Sequence, residues 1–188
     1  MLCLACTAPT NGAMCAVCDA RLRKAPDTVV GDGLRVIAAH THEGPSRALI
    51  HALKYRGVTA AALPFVTRLA ERIPFGTTAL VPVPRAWLRA ARYGIDPAAV
   101  LADGVAHLTG LPMIPALQPP LWWRRHAGAG RQDREHIGFR QRAGVPAGFA
   151  LVDDVVTTGA TVTAAAGAMD DRPSLVLAAT VAPRVGDG

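Results

Sequence analysis

The chain has 188 residues, 51% of them hydrophobic, and a formal charge of +6 carried almost wholly by arginine, since only Lys24 and Lys54 are lysines. That length fits one substantial domain plus a small appendage, and the apolar content is enough for a core, which excludes a disordered chain. No apolar run reaches the roughly 20 residues of a membrane span, and the N-terminus starts with cysteines instead of a charged segment and an apolar stretch, so a soluble cytoplasmic protein is expected. The positive balance suits anionic partners, either phosphorylated metabolites or nucleic acid. A composition rich in Ala, Gly, Pro and Arg explains that balance equally well.

The first element is the pair CLAC and CAVC, which places Cys3, Cys6, Cys15 and Cys18 around the short turn TAPTNGAM. Two Cys-x-x-Cys pairs at this spacing can bring four thiolates to one tetrahedral ion, so structural Zn2+ is the expectation. Two disulfides or a redox pair are the alternatives. The first needs an oxidising compartment, and the second would normally come once, inside a strand-to-helix unit.

A polar connector, RLRKAPDTVVGDG, leads into a strand over 34–42. EGPSRALIHALKYRG then turns into a helix that stops at Gly57, and a second helix is expected over Ala60–Arg72. TALVPVPRAW reads as a short strand entering a proline-bearing loop at Val81–Arg85. Asp96, Pro97 and Gly110 mark the N-cap, first turn and stop of another helix. LPMIPAL holds two prolines, which confine any strand there to an edge. Residues 118–148 carry six arginines and little pattern, and are expected to be a long mobile segment.

Regularity returns with FALVDD as a strand, VVTTGAT as a loop, VTAAAGAMDD as a helix and SLVLAATVA as a strand. Strands alternating with helices predict a parallel sheet covered on both faces. A strand ending at Asp153 and Asp154 would present both acids at the carboxyl edge, where open α/β sheets bind ligands. The loop that follows, with Thr157, Thr158, Gly159, Ala160 and Thr161, offers hydroxyls, backbone N–H groups and a helix N-terminus to a phosphate. Acids repel phosphate but accept from sugar hydroxyls, so the stretch suits a ribose 5-phosphate. Neither G-x-x-x-x-G-K-[ST] nor G-x-G-x-x-G occurs in that role.

LVDDVVTTGAT resembles the ribose-phosphate signature of type I phosphoribosyltransferases. With the four-cysteine module, LKYRG (53–57) and VPVPR (81–85), the chain resembles the ComF family over most of its length. The resemblance implies a Rossmann-like parallel sheet of the type I phosphoribosyltransferase fold with a small N-terminal zinc-ribbon module. It divides the chain into 1–25 (zinc ribbon), 26–75 (strand–helix connecting or hood region) and 76–188 (phosphoribosyltransferase-like α/β domain). It also implies that Asp153 and Asp154 hold the ribose hydroxyls of 5-phosphoribosyl 1-diphosphate (PRPP) as the catalytic acids, and that Thr157–Thr161 hold its 5-phosphate. Val83, Pro84 and Arg85 would line the diphosphate, with Mg2+ bridging diphosphate and ribose oxygens.

Arg85, Arg124, Arg125 and Arg131 are candidate diphosphate contacts. YGIDPA (93–98) departs from the family's usual R-G-F-N-Q-A, and no acceptor-reading pattern is recognisable. His126 and His136 are isolated in the irregular segment. Two functions are implied: phosphoribosyl transfer to an unidentified acceptor with release of diphosphate, or a PRPP-responsive protein that binds single-stranded DNA and serves DNA-uptake machinery. Trp122, Trp123, Arg124 and Arg125 favour the second, because aromatics beside arginines can stack bases and neutralise backbone phosphates.

Overall fold

The computed structural model describes residues 1–85, 94–119 and 138–183. In chain order these form α1 (Ala16–Ala20), β1 (Thr28–Val30), β2 (Leu34–Thr41), α2 (Gly44–Arg56) and, after a 3-10 turn at Thr59–Ala62, α3 (Leu63–Ala70). β3 (Leu80–Pro82), α4 (Pro97–Thr109), β4 (Leu117–Gln118), β5 (Arg140–Gln141), β6 (Ala150–Val156), α5 (Ala160–Gly167) and β7 (Leu175–Val181) follow. The central sheet has the order β1-β2-β7-β6-β3. β2, β7, β6 and β3 run parallel, while β1 is antiparallel at the edge.

Period-two alternation sorts the strand residues into two cores. Val36, Ala38, Leu151, Val176 and Ala178 face one side with Val162, Ala165 and Ala166 of α5. Ile37, Ala39, Ala150, Val152, Leu177 and Ala179 face the other, against Leu49 and Leu53 of α2, Phe65 and Leu69 of α3, and Leu101 and Val105 of α4. A mixed α/β architecture with a mostly parallel, doubly covered sheet is therefore present, as the pattern required. α4 lies close on α3 at Gly104, where a Cβ would sit 2.7 Å from Val66 Cγ2.

Local chemistry explains where elements depart from the sequence reading. The second helix begins at Leu63 and not at Ala60, because Pro64 has no N–H and is tolerated only in a first turn; the preceding residues tighten into 3-10 geometry. LPMIPAL yields only β4 and an isolated parallel bridge from Met113 to Leu80. The irregular segment contains β5, paired antiparallel with β4, and Phe139 beside it is 6% exposed. Residues 120–137 of that segment lie outside the described residues.

The strand expected to end at the two acids continues to Val156. Val155 and Val156 are β-branched and pair with Thr180 and Val181 of β7, which extends the ladder. Residues 26–75 supply two of the five central strands. The cysteine module is likewise not separate from the body, since Leu4, Met14 and Leu22 pack against the second core. None of the described helices is long and apolar enough to cross a membrane.

Candidate functional site

Parallel strands bring their carboxyl ends to one edge, and there the charged residues collect. Asp153 and Asp154 are each 8% exposed. The pleat puts Asp153 on the α5 side with Leu151, and Asp154 on the α2 side with Val152. Asp153 Oδ1 accepts the Asp154 backbone N–H at 2.8 Å, and Asp154 Oδ1 lies 2.8 Å from Lys54 Nζ.

The electrostatics follow from this crowding. Burial, and then the Asp154 charge, push the Asp153 carboxyl up to about 8. Asp96 is raised as well, first by burial and further by Asp154. It is held where it is by its role as the α4 N-cap, accepting from Ala98 N–H at 3.1 Å and from Arg85 N–H at 3.2 Å. Three acids thus share one edge, and Lys54 is ion-paired to one of them, Asp154.

Lys54 does not stand alone. Arg47, His51 and Lys54 follow i, i+4, i+7 spacing, which sets them on one face of α2. All three lower the pKa of His42 electrostatically, though burial is the first cause. His42 Nδ1 is 2.9 Å from Thr180 Oγ1, which donates to the Asp154 carbonyl at 3.4 Å. The sequence reading cited LKYRG only as part of a family pattern. The rarity of lysine, two in the whole chain, was the signal that could have singled out Lys54.

Beyond β6 the chain turns through Thr157, Thr158 and Gly159 into α5. Thr157, Thr158 and Ala160 are exposed and Thr161 is half-buried. Thr158 Oγ1 accepts the Ala160 N–H at 3.4 Å, and the remaining first-turn N–H groups have no acceptor within the helix. Gly159 has φ 81, and a Cβ there would lie 2.5 Å from Val30 Cβ. The close approach this glycine permits is to β1, which presses the loop onto the sheet.

Val83, Pro84 and Arg85 leave β3 at the same edge. Val83 N–H donates to the Val152 carbonyl at 2.9 Å, Pro84 has no N–H, and Arg85 N–H is held by Asp96. Their backbone therefore offers little to an anion. What remains is the Arg85 guanidinium, which donates to the Lys54 carbonyl at 3.2 Å and so joins the α2 cations. Trp122, Trp123, Arg124, Arg125 and Arg131 lie outside the described residues.

At the opposite end of the sequence, Cys3, Cys6, Cys15 and Cys18 place their sulfurs within 4.8 Å of one another. All four are free thiols. The first pair folds around Thr7, at φ 62, whose N–H donates to the Cys3 carbonyl; the second opens α1 with Cys15 as N-cap. Cys15 N–H, the leading cause, lowers Cys3 to about 6, whereas burial and the other sulfurs push Cys18 up to about 12. One thiolate forms readily and the next is opposed, so a cation is what would let all four ionise. The cluster can hold a metal such as zinc. Among the described residues it is the one group of three or more side chains able to do so.

Compared with protein-family models and with curated proteins, the chain matches none.

Proposed function

We propose that the carboxyl edge binds PRPP and supports displacement of its diphosphate by an acceptor nucleophile, in the manner of a ComF-like phosphoribosyltransferase. The observation that carries this reading is one continuous stretch: two buried acids near the end of a central parallel strand, then exposed Thr157 and Thr158 and a buried Gly159 that open a helix. Acids suit ribose hydroxyls, and a helix N-terminus with free N–H groups suits a 5-phosphate. The two carboxyls differ usefully. Asp154, paired with Lys54, can only accept, whereas an Asp153 that keeps its proton near neutrality can donate to a ribose oxygen.

In the transfer, the nucleophile forms a bond to C1 as the C1–O bond to diphosphate breaks. The electron pair leaves with the diphosphate, and the nucleophile sheds its proton. Negative charge builds on the leaving group, and Arg47 and Lys54 of α2, with Arg85, are the described cations that would offset it. Mg2+ would arrive on the diphosphate oxygens. Asp154 is already paired with Lys54, so the acids here do not make a protein cage for it. In the cysteine module zinc is the fitting ion, because a tetrahedron with arms of about 2.3 Å has edges of about 3.8 Å, and Cys6 Sγ to Cys15 Sγ is 3.7 Å.

Calorimetry with magnesium tests the reading. Asp153→Asn with Asp154→Asn should weaken PRPP far more than a ribose-free phosphate, by about 1.5–3 kcal/mol for each charge-assisted hydrogen bond that Asp154 makes to the ribose. Thr158→Val with Thr161→Val should weaken every ligand that carries a 5-phosphate. PRPP binding unchanged in the double Asn protein sinks the proposal.

A further inference from the structure

The cysteine module holds every thiol of the chain, since Cys3, Cys6, Cys15 and Cys18 are its four cysteines. Their surroundings divide them into two kinds. Cys3 and Cys18 are 1% and 5% exposed, whereas Cys6 is exposed and Cys15 half-buried. Each Cys-x-x-Cys pair therefore keeps one sulfur inside and turns one outward. The two outward sulfurs meet, with 3.7 Å between Cys6 Sγ and Cys15 Sγ.

The hold of the module on the body depends on those sulfurs staying together. Leu4 N–H donates to the Ala13 carbonyl at 2.9 Å, and Cys15 N–H donates to Cys3 Sγ at 3.4 Å, so the two halves of the module are joined around the cluster. The side chains that anchor it to the second core come from both halves: Leu4 lies between Cys3 and Cys6, Met14 precedes Cys15, and Leu22 follows α1. A zinc ion at the centre would keep the sulfurs as thiolates, and the thiolate is the form that attacks an oxidant.

We infer that the module is a peroxide-sensitive latch: Cys6 and Cys15 close into a disulfide, zinc leaves, and the anchor made by Leu4, Met14 and Leu22 loosens. This rests on the zinc reading of the cluster and is independent of PRPP. Cys6 Sγ, the outermost sulfur, attacks one oxygen of hydrogen peroxide; the O–O bond breaks, hydroxide departs, and a sulfenic acid remains. Cys15 Sγ then attacks the Cys6 sulfur, forming the S–S bond and expelling a second hydroxide. Two thiolates give up two electrons, and the peroxide takes them. Closing from 3.7 Å to the roughly 2.05 Å of a disulfide needs a movement of about 1.7 Å. Zinc is left with Cys3 and Cys18 alone, too few thiolates for a closed structural site.

The test treats zinc-loaded full chain with hydrogen peroxide, against an untreated control, while a chromogenic chelator reads free zinc and mass spectrometry reads the sulfurs. Chymotryptic cleavage after Leu4 and Met14 separates Cys3 from Cys6 and both from Cys15 and Cys18, and fragmentation within CAVC separates the last two. Zinc should appear near one equivalent in step with a Cys6–Cys15 disulfide. Amide exchange at Leu4 and Cys15 should quicken while that of β6 and β7 stays as it was, and dithiothreitol with added zinc should restore the starting state. A disulfide inside either Cys-x-x-Cys pair, oxidation that stops at sulfinic acid, or unchanged exchange at Leu4 and Cys15 overturns the latch. Zinc retained with all thiols intact overturns it too, and leaves the zinc reading standing. Protein that takes up no zinc before treatment overturns both.

Discussion

Asp153→Asn offers the most direct check on the electrostatics of the carboxyl edge. A carboxyl raised from 3.8 to about 8 keeps a proton in the folded protein that the unfolded chain gives up. Its contribution is therefore fully present below the unfolded value and is lost as pH rises toward about 8. Each pKa unit is about 1.4 kcal/mol, so the interval from about pH 5 to about pH 8 carries at most about 4 kcal/mol. Asparagine has no such titration, and its Oδ1 can still accept the Asp154 N–H that Asp153 holds at 2.8 Å. The stability of the variant relative to wild type should then rise with pH by up to about 4 kcal/mol over that interval. Urea unfolding of metal-loaded protein, followed by circular dichroism at several pH values, measures the difference. His40 and His42 also shift with folding, but they are common to both proteins and cancel, whereas Asp96, whose charge raises Asp153, falls in the variant and adds to the same pH-dependent difference. A difference that does not change with pH would mean that Asp153 titrates like an exposed acid, refuting the argument from burial.

Lys54→Met should cost about 3 kcal/mol, because it leaves Asp154 in a buried place without its cation; adding Asp154→Asn should recover most of that loss, and a double-mutant cycle in urea reads the coupling. Gly159→Ala should cost at least about 2 kcal/mol from its positive φ and the Val30 clash, with Val30→Gly, which removes the Cβ that the new methyl would meet at 2.5 Å, returning the clash portion alone; equal losses in both backgrounds would assign the cost to φ. Protein purified without chelator should carry zinc near one equivalent, and Cys3→Ser should lose it. The midpoint of thermal unfolding for the whole body should fall with it, since Leu4, Met14 and Leu22 pack on the second core; an unchanged midpoint would show the module to be energetically separate.

The α/β class, the ends of α2 and α4 and the place of the acids could be read from the chain, because each rests on local chemistry. Asp96 and Pro97 start α4 and Gly110 follows it, as capping rules require. The cysteine cluster was legible for the same reason: ligand spacing is a local property. Partners from distant segments were not. Lys54 meets Asp154 only because α2 returns over the α2 side of β6, and no spacing in the sequence encodes that meeting. The extension of β6 past the acids depended on pairing with β7. Likewise, the loss of backbone donors at Val83–Arg85 depended on Val152 and Asp96 as acceptors.

β7 separates the two halves of the sheet: β2 hydrogen-bonds to one side of it and β6 to the other. All seven of its residues are buried. During synthesis, residues 34–41 and 150–156 are therefore made before the segment that joins them. Until Leu175–Val181 has left the ribosome, β2 and β6 each carry an unpaired apolar edge, the condition under which nascent chains stick to one another or to a chaperone. The sheet must close in a late step that joins strands from opposite ends of the sequence, which slows folding. A stop codon just before residue 175 would leave two fragments of sheet, β1–β2 and β6–β3, with nothing between them.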